Sequence, residues 1–227
     1  MIKCTWKAAV KRGLGLPLYR ALGYIPPTAT VLDIGCGNHS PQQIKHLFPE
    51  LYYIGVDVEE YNIDEADKIA ANEFHFVGRD SFISDLRDQL NQQADLIIVS
   101  HVLEHAYEPY HLLEYLSTLL KVRGYMYLAF PAEESVAFPS RPGTLNFFDD
   151  PSHRWLPPFI EVLNRCMRLG LRPIFVRKRY RHPVLCILGA IEHVLGPIWK
   201  VLVGRRSSFF AWHLFGFESI IIVQKIN

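Results

Sequence analysis

The sequence predicts an α/β fold of the doubly wound kind, a mostly parallel sheet covered by helices on both faces, and three observations predict it. Short apolar or β-branched runs alternate with stretches of helical apolar spacing from about residue 30 to residue 130. Two of these runs close with an acid, Asp33 in Val31-Leu32-Asp33-Ile34 and Asp57 after Ile54-Gly55-Val56, where strands would meet a ligand at their carboxyl ends. The chain has 227 residues, 49% of them hydrophobic, enough to bury one full core, so length favours a single domain over 1–227 with elaborations.

The elements follow in order. Residues 1–23 carry Lys3, Lys7, Lys11, Arg12 and Arg20 without the apolar core and cleavage site of a secretory leader, and they read as an amphipathic helix. Val31 to Ile34 forms the first strand and opens into Gly35-Cys36-Gly37-Asn38, a tight loop in which glycine permits positive φ and close approach of a ligand. A helix from about Pro41 to Leu47 leads to strand two, Tyr52 to Asp57. The acidic link Glu59 to Asp67 and a short helix precede strand three, Phe74 to Val77. Phe82, Ile83, Leu86 and Leu90 have helical spacing, and Asp95 to Val99 is a near-continuous apolar run suited to a strand buried on both faces. Leu112, Leu113, Leu116, Leu119 and Leu120 share a helical face, after which Gly124 introduces strand five, Tyr125 to Phe130.

Beyond Pro131 the alternation lapses. Residues 131–158, rich in proline and aromatics, form a loop too long for a plain connector and are expected on the substrate side. A helix from Phe159 to Leu169 and a strand from Arg172 to Tyr180 follow, then an apolar helical insertion over 183–206 whose core is Pro183 to Val203, and finally a strand from Glu218 to Lys225.

Charge is unevenly spread. Residues 1–150 carry a net −8 and residues 151–227 a net +9. Arg177, Lys178, Arg179, Arg181, Arg205 and Arg206 flank the apolar insertion, which suits an interfacial helix contacting an anionic membrane through 177–206; Glu192, His193, Pro197 and Lys200 argue against a full span. The alternative is a helix packed on the sheet or on a second subunit, with the basic residues in solvent. Basic residues interleaved with aliphatics do not make a nucleic-acid reading motif. Cys4, Cys36, Cys166 and Cys186 are scattered, which excludes a zinc ribbon and a dense disulfide framework and fits a reducing cytoplasm, with peripheral contact on the cytoplasmic face of the membrane as the variant.

The chemistry is concentrated in four ordered motifs. In a dinucleotide fingerprint the position of Ser40 would be a third glycine, so a cofactor without a pyrophosphate is expected. Asp57 lies at the spacing from the first loop at which a carboxylate meets two ribose hydroxyls. Gly78-Arg79-Asp80-Ser81 follows strand three, and Ser100-His101-Val102-Leu103-Glu104-His105 follows strand four. Asp80 could equally cap the helix that begins near Phe82. The pattern His101-x-x-Glu104-His105 also occurs in zinc-binding helices, but here it follows a strand and no third ligand is evident, so no metal is expected.

Together these motifs resemble those of the class I S-adenosylmethionine-dependent methyltransferases, in the subgroup with Leu-Glu-His after strand four, over about residues 29–130 and the final strands. The resemblance implies a Rossmann-like sheet of seven strands with an antiparallel last strand. It implies S-adenosylmethionine held by Asp33, Gly35, Cys36, Gly37, Asp57, Val58, Asp80, Ser81, Ser100 and His101. Candidate general bases are His105 and His153, because histidine titrates near neutral pH; Glu104, Arg154 and Trp155 are candidate acceptor contacts, the last two as a guanidinium fork and an aromatic platform. The implied activity is methyl transfer to a small-molecule, glycan or lipid-linked acceptor, with oxygen the preferred acceptor atom. The alternatives are an adenosyl-cofactor protein of other chemistry and a non-catalytic scaffold at a membrane or partner surface. The oligomeric state is left open.

Overall fold

The computed structural model describes residues 9–58, 63–140, 145–203 and 209–227. Seven strands form one sheet: β1 (Thr30–Ile34), β2 (Tyr52–Val58), β3 (Glu73–Val77), β4 (Ala94–Ser100), β5 (Leu120–Pro131), β6 (Leu171–Arg177) and β7 (Glu218–Lys225). Their order is β3-β2-β1-β4-β5-β7-β6. The neighbours from β3 to β5 pair in parallel, whereas β7 runs antiparallel between β5 and β6. The expected Rossmann-like sheet with its antiparallel last strand is therefore observed.

Helices α1 (residues 9–13) and α2 (Pro17–Leu22) precede the sheet. Over the described part of 1–23 the expected single helix is thus two short ones: Gly15 turns at φ 64° and Pro17 opens the second, where its missing N–H costs no helical hydrogen bond. Residues 1–8 lie outside the described residues. Helices α3 (Ser40–Leu47), α4 (Glu65–Ala70), α5 (Phe82–Gln89), α6 (Pro109–Leu119) and α7 (Phe159–Arg168) connect the strands.

Alternation along each strand sends side chains to opposite faces and so fills two cores. Leu32, Ile34, Ile54, Val56, Ile97 and Val99 pack with Leu86, Leu112, Leu116 and Val162 on one face. Val31, Tyr53, Leu96 and Ile98 pack with Leu22 and Ile44 on the other. Asp33, between Leu32 and Ile34 on β1, necessarily points to the second face, a placement that decides its role.

The 131–158 segment is short of regular structure except for two 3-10 turns, Glu133–Ala137 and Phe147–Asp149; residues 141–144 lie outside the described residues. The apolar insertion forms helix α8 (Pro183–Val203), and an aromatic segment for which the sequence predicts no element forms α9 (Phe209–Phe215). Residues 204–206, at the insertion's end, lie outside the described residues. Gly189 brings α8 against α9: a Cβ there would stand 2.4 Å from the Phe210 carbonyl oxygen and 2.9 Å from Leu214 Cβ.

Candidate active site at the carboxyl ends of the strands

A cavity of about 700 Å³ opens beside the carboxyl ends of β1, β2 and β4. Gly35, Asp57, Val58, Asp80 and Ser81 line it, as do His101, His105, Ser152 and Arg154. The parallel strands deliver this arrangement, since loops that leave neighbouring strands at one edge must converge there.

The first loop is fixed by its own backbone. Gly35 and Gly37 adopt φ 67° and 55°, conformations that a side chain strains, and a Cβ on Gly35 would come 2.5 Å from Val102 Cγ2. Gly35 N–H and Cys36 N–H both donate to the Val56 carbonyl, which lashes the loop to β2. Asp57 closes the arrangement: its Oδ2 accepts from Gly37 N–H at 2.7 Å and its Oδ1 from Val58 N–H at 2.7 Å. Burial raises the Asp57 pKa, against the lowering effect of these two backbone donors.

Asp33 does not reach the cavity lining. It is 2% exposed, and its Oδ2 accepts from Ser40 Oγ at 2.7 Å and from Tyr53 hydroxyl at 2.5 Å. Burial pushes its pKa from 3.8 to about 6, opposed by these two hydrogen bonds and assisted by the neighbouring charge of Asp57. Asp33 therefore binds β1 to β2 and to the first turn of α3, orienting the loop from behind. Cys36 is buried, with Sγ 3.2 Å from where a Cβ on Gly55 would stand, and neither it nor Gly37 nor Ser100 is part of the lining.

On the next loop Asp80 and Ser81 are exposed to the cavity. Asp80 is not the helix cap; Ser81 holds that position, and Asp85 accepts from Gly78 N–H and Ser81 Oγ, each at 2.7 Å. These donors hold the Asp85 carboxyl below its ordinary pKa.

The loop after β4 holds a buried polar network. His101 takes a left-handed φ of 56°, and its ring nitrogens lie 2.9 Å from Glu104 Oε1 and 2.9 Å from Glu218 Oε1. Burial alone would lower the His101 pKa, yet hydrogen bonds and charge from the two carboxylates outweigh it and raise it to about 10. Both ring nitrogens therefore carry protons, and His101 is an imidazolium held between two acids. Glu104 is fully buried and Glu218 partly so; neither lines the cavity.

Residues 150–155 fold over this loop because Arg154 N–H and Trp155 N–H donate to the Glu104 carbonyl, at 2.8 and 3.3 Å. His105 and His153 are thereby brought together, with ring centroids 4.9 Å apart. Arg154 lies over the Tyr107 ring at 3.9 Å, a cation–π contact at the cavity wall. Trp155 does not face the cavity; it packs edge-on against Tyr110 beside the core. Val102, Tyr107 and Arg79 line the cavity and were not singled out from the sequence, where nothing distinguishes a lining valine or tyrosine from a core one.

The glycine cradle, the Asp57 carboxylate and the adjoining cavity fit an adenosyl ligand. Residues 6–170 match the model of the family described as "Methyltransferase domain". No curated protein matches the chain. Among solved structures it is similar to an S-adenosylmethionine-dependent methyltransferase from Archaeoglobus fulgidus, at 20% identity and TM-score 0.55, over 94% of each chain. A second, from Mesorhizobium loti, shares 14% identity at TM-score 0.61 over 91% of this chain and 96% of that one. The plantazolicin methyltransferase BamL, solved with a triazolic desmethylPZN analogue and SAH, shares 15% identity at TM-score 0.61 over 97% of this chain and 84% of that one.

Proposed function

The chain belongs to the methyltransferase-domain family and is an S-adenosylmethionine-dependent methyltransferase of class I, and from that premise we propose that it methylates a hydroxyl of a small-molecule, glycan or lipid-linked acceptor. One observation carries the proposal: Gly35, Asp57 and Asp80 line the same cavity as His105, Ser152 and Arg154.

In this reading Asp57 accepts the two ribose hydroxyl protons, and Asp80 and Ser81 contact the adenine. When bound, S-adenosylmethionine supplies an activated methyl whose sulfur–carbon bond pair stays on sulfur as the acceptor oxygen's lone pair takes the carbon. The protein's task is then alignment more than chemistry. His105 receives the acceptor's proton, being the cavity-lining group with a basic nitrogen, and Arg154 with Tyr107 orients the acceptor.

A lipid-linked acceptor is supported by α8. Val184, Ile187, Leu188, Ile191 and Val194 recur at helical spacing and are between 40% and 74% exposed. Arg177, Arg179 and Arg181, just before that helix, complement an anionic bilayer surface as the occupant of the stripe. Among the described residues no helix is long and apolar enough to cross a membrane.

Calorimetric titration of S-adenosylmethionine and its demethylated product tests the cofactor assignment. Wild type is expected to bind both, with Asp57→Ala weaker by about 100-fold, two charge-assisted hydrogen bonds at 1.5–3 kcal/mol each being partly offset by solvent. Folded wild type that binds neither would overturn the proposal. Methyl transfer to amines but not to hydroxyls in an acceptor screen would remove the oxygen assignment alone.

A further inference from the structure

We propose that Glu104, His105 and His153 form a binding site for one divalent transition cation in the cavity wall at His105. One ligand atom from each of the three residues lies within 4.8 Å of the others, close enough for a single ion to gather them with small side-chain movements.

Three independent features point at a ligand. Glu104 is fully buried, and its Oε2 has no hydrogen-bond partner while Oε1 is held by His101. An unpartnered carboxylate oxygen in the interior is costly, and native proteins keep few of them without a purpose. His101 fixes one oxygen and so presents the other, which is the work of an outer-shell partner around a metal.

The two imidazoles are set up in the same way. His105 Nδ1 lies 3.2 Å from the Ser152 carbonyl and 3.1 Å from Ser152 Oγ, whose own proton is donated to Asp150 Oδ1 at 2.5 Å. Both neighbours of that nitrogen are therefore acceptors, and Nδ1 carries the proton. His153 Nδ1 lies 2.6 Å from the Phe147 carbonyl oxygen, with the same consequence. Each ring is left with a basic Nε2, and among the described residues neither Nε2 has a hydrogen-bond partner. Backbone carbonyls that lock Nδ1–H and free Nε2 are the usual second shell of a metal-binding histidine.

The cluster formed by His39, Asp64 and Asp67 lacks these features. Asp67 is fully buried, but its two oxygens already accept from His39 N–H and Gln42 N–H. It is a loop tie.

Two imidazoles and one carboxylate suit Mn²⁺, Fe²⁺, Co²⁺ or Zn²⁺ and leave coordination positions open. Because His105 lines the cavity, those positions face the acceptor, and an ion on His105 Nε2 replaces the proton-accepting role that this nitrogen has in the cation-free protein. Methyl transfer from the cofactor does not itself need a metal; the ion's role is to hold an acceptor with two adjacent oxygens, a vicinal diol or a hydroxyl beside a carbonyl. That choice of acceptor rests on the O-methylation reading, whereas cation binding does not.

The test is Co²⁺ titration of the chelator-treated 227-residue chain, read by its visible d–d absorption and by calorimetry. One ion per chain is expected. Glu104→Gln and His153→Ala should each weaken binding by more than about tenfold, and His39→Ala should leave it unchanged. Circular dichroism confirms that each variant is folded; if Glu104→Gln is not, His153→Ala, altered on the covering loop, decides alone. No saturable Co²⁺ binding, or binding indifferent to both substitutions, overturns the site. Titrating S-adenosylhomocysteine into the same preparations separates the two proposals: cofactor binding without cation binding sinks this one only, and the reverse sinks the methyltransferase site only.

Discussion

Asp33 offers the sharpest quantitative prediction, because it is a buried acid whose neighbours do not compensate its charge. Its carboxyl is pushed from 3.8 to about 6, with burial outweighing the Tyr53 and Ser40 hydrogen bonds. Folding therefore raises its pKa, so its favourable contribution is complete below pH 3.8 and is lost as pH rises through about 6. The shift corresponds to about 3 kcal/mol, of which about 2 kcal/mol falls between pH 4.5 and 7.5.

Asp33→Asn keeps the shape and an oxygen acceptor for Tyr53 and Ser40 but removes the titration. Groups remote from position 33 titrate alike in both proteins and cancel in the difference. The stability of the variant relative to wild type, from urea unfolding with matched m-values, should accordingly rise by about 2 kcal/mol from pH 4.5 to 7.5. A flat difference would show that Asp33 keeps an ordinary pKa. A difference of opposite sign would show that a charge favouring its ionised form has been overlooked.

Three other outcomes follow from the same geometry. Gly35→Ala should cost about 2–4 kcal/mol, part from the left-handed φ and part from the overlap with Val102 Cγ2; Val102→Ala in the same chain should relieve only the overlap, giving a coupling of at least about 1 kcal/mol in a double-mutant cycle by denaturation. Gly189→Ala should lower stability by about 1–3 kcal/mol in thermal unfolding by wedging α8 from α9, with calorimetric cofactor affinity unchanged. Ile187→Glu combined with Ile191→Glu, at sites 63% and 51% exposed, should change stability by no more than about 1 kcal/mol in total yet abolish sedimentation with anionic vesicles. Equal sedimentation of variant and wild type would remove the membrane surface from the proposed function.

The sheet and the strand–acid–glycine loop were legible because each is written locally. A strand, an acid and two glycines lie within a few residues, and the alternation of strands and helices repeats the same signal five times. Asp33 was legible as an important acid but not in its direction. Its neighbours Leu32 and Ile34 are both core residues of one face, so alternation turns Asp33 to the other, toward Tyr53 and Ser40. The pairing of His105 with His153 was not legible, because it depends on the Glu104 carbonyl accepting from Arg154 and Trp155 across an irregular loop.

The least legible contact is the one the topology makes unavoidable. Because β7 runs antiparallel between β5 and β6, its first residue lies at the edge where the other strands end. Glu218, 117 residues beyond His101, is thereby set against the loop that follows β4. Burial alone would raise the Glu218 pKa, but its hydrogen bond and charge interaction with His101 prevail and keep it below the ordinary carboxylate value. The ion pair in turn supports a left-handed His101, a conformation that costs a non-glycine residue about 1–2 kcal/mol. Reversal of one strand thus gives the β4 loop a partner that no local motif could supply, and through His101 it is coupled to Glu104, whose Oε1 is held while Oε2 is left without a partner.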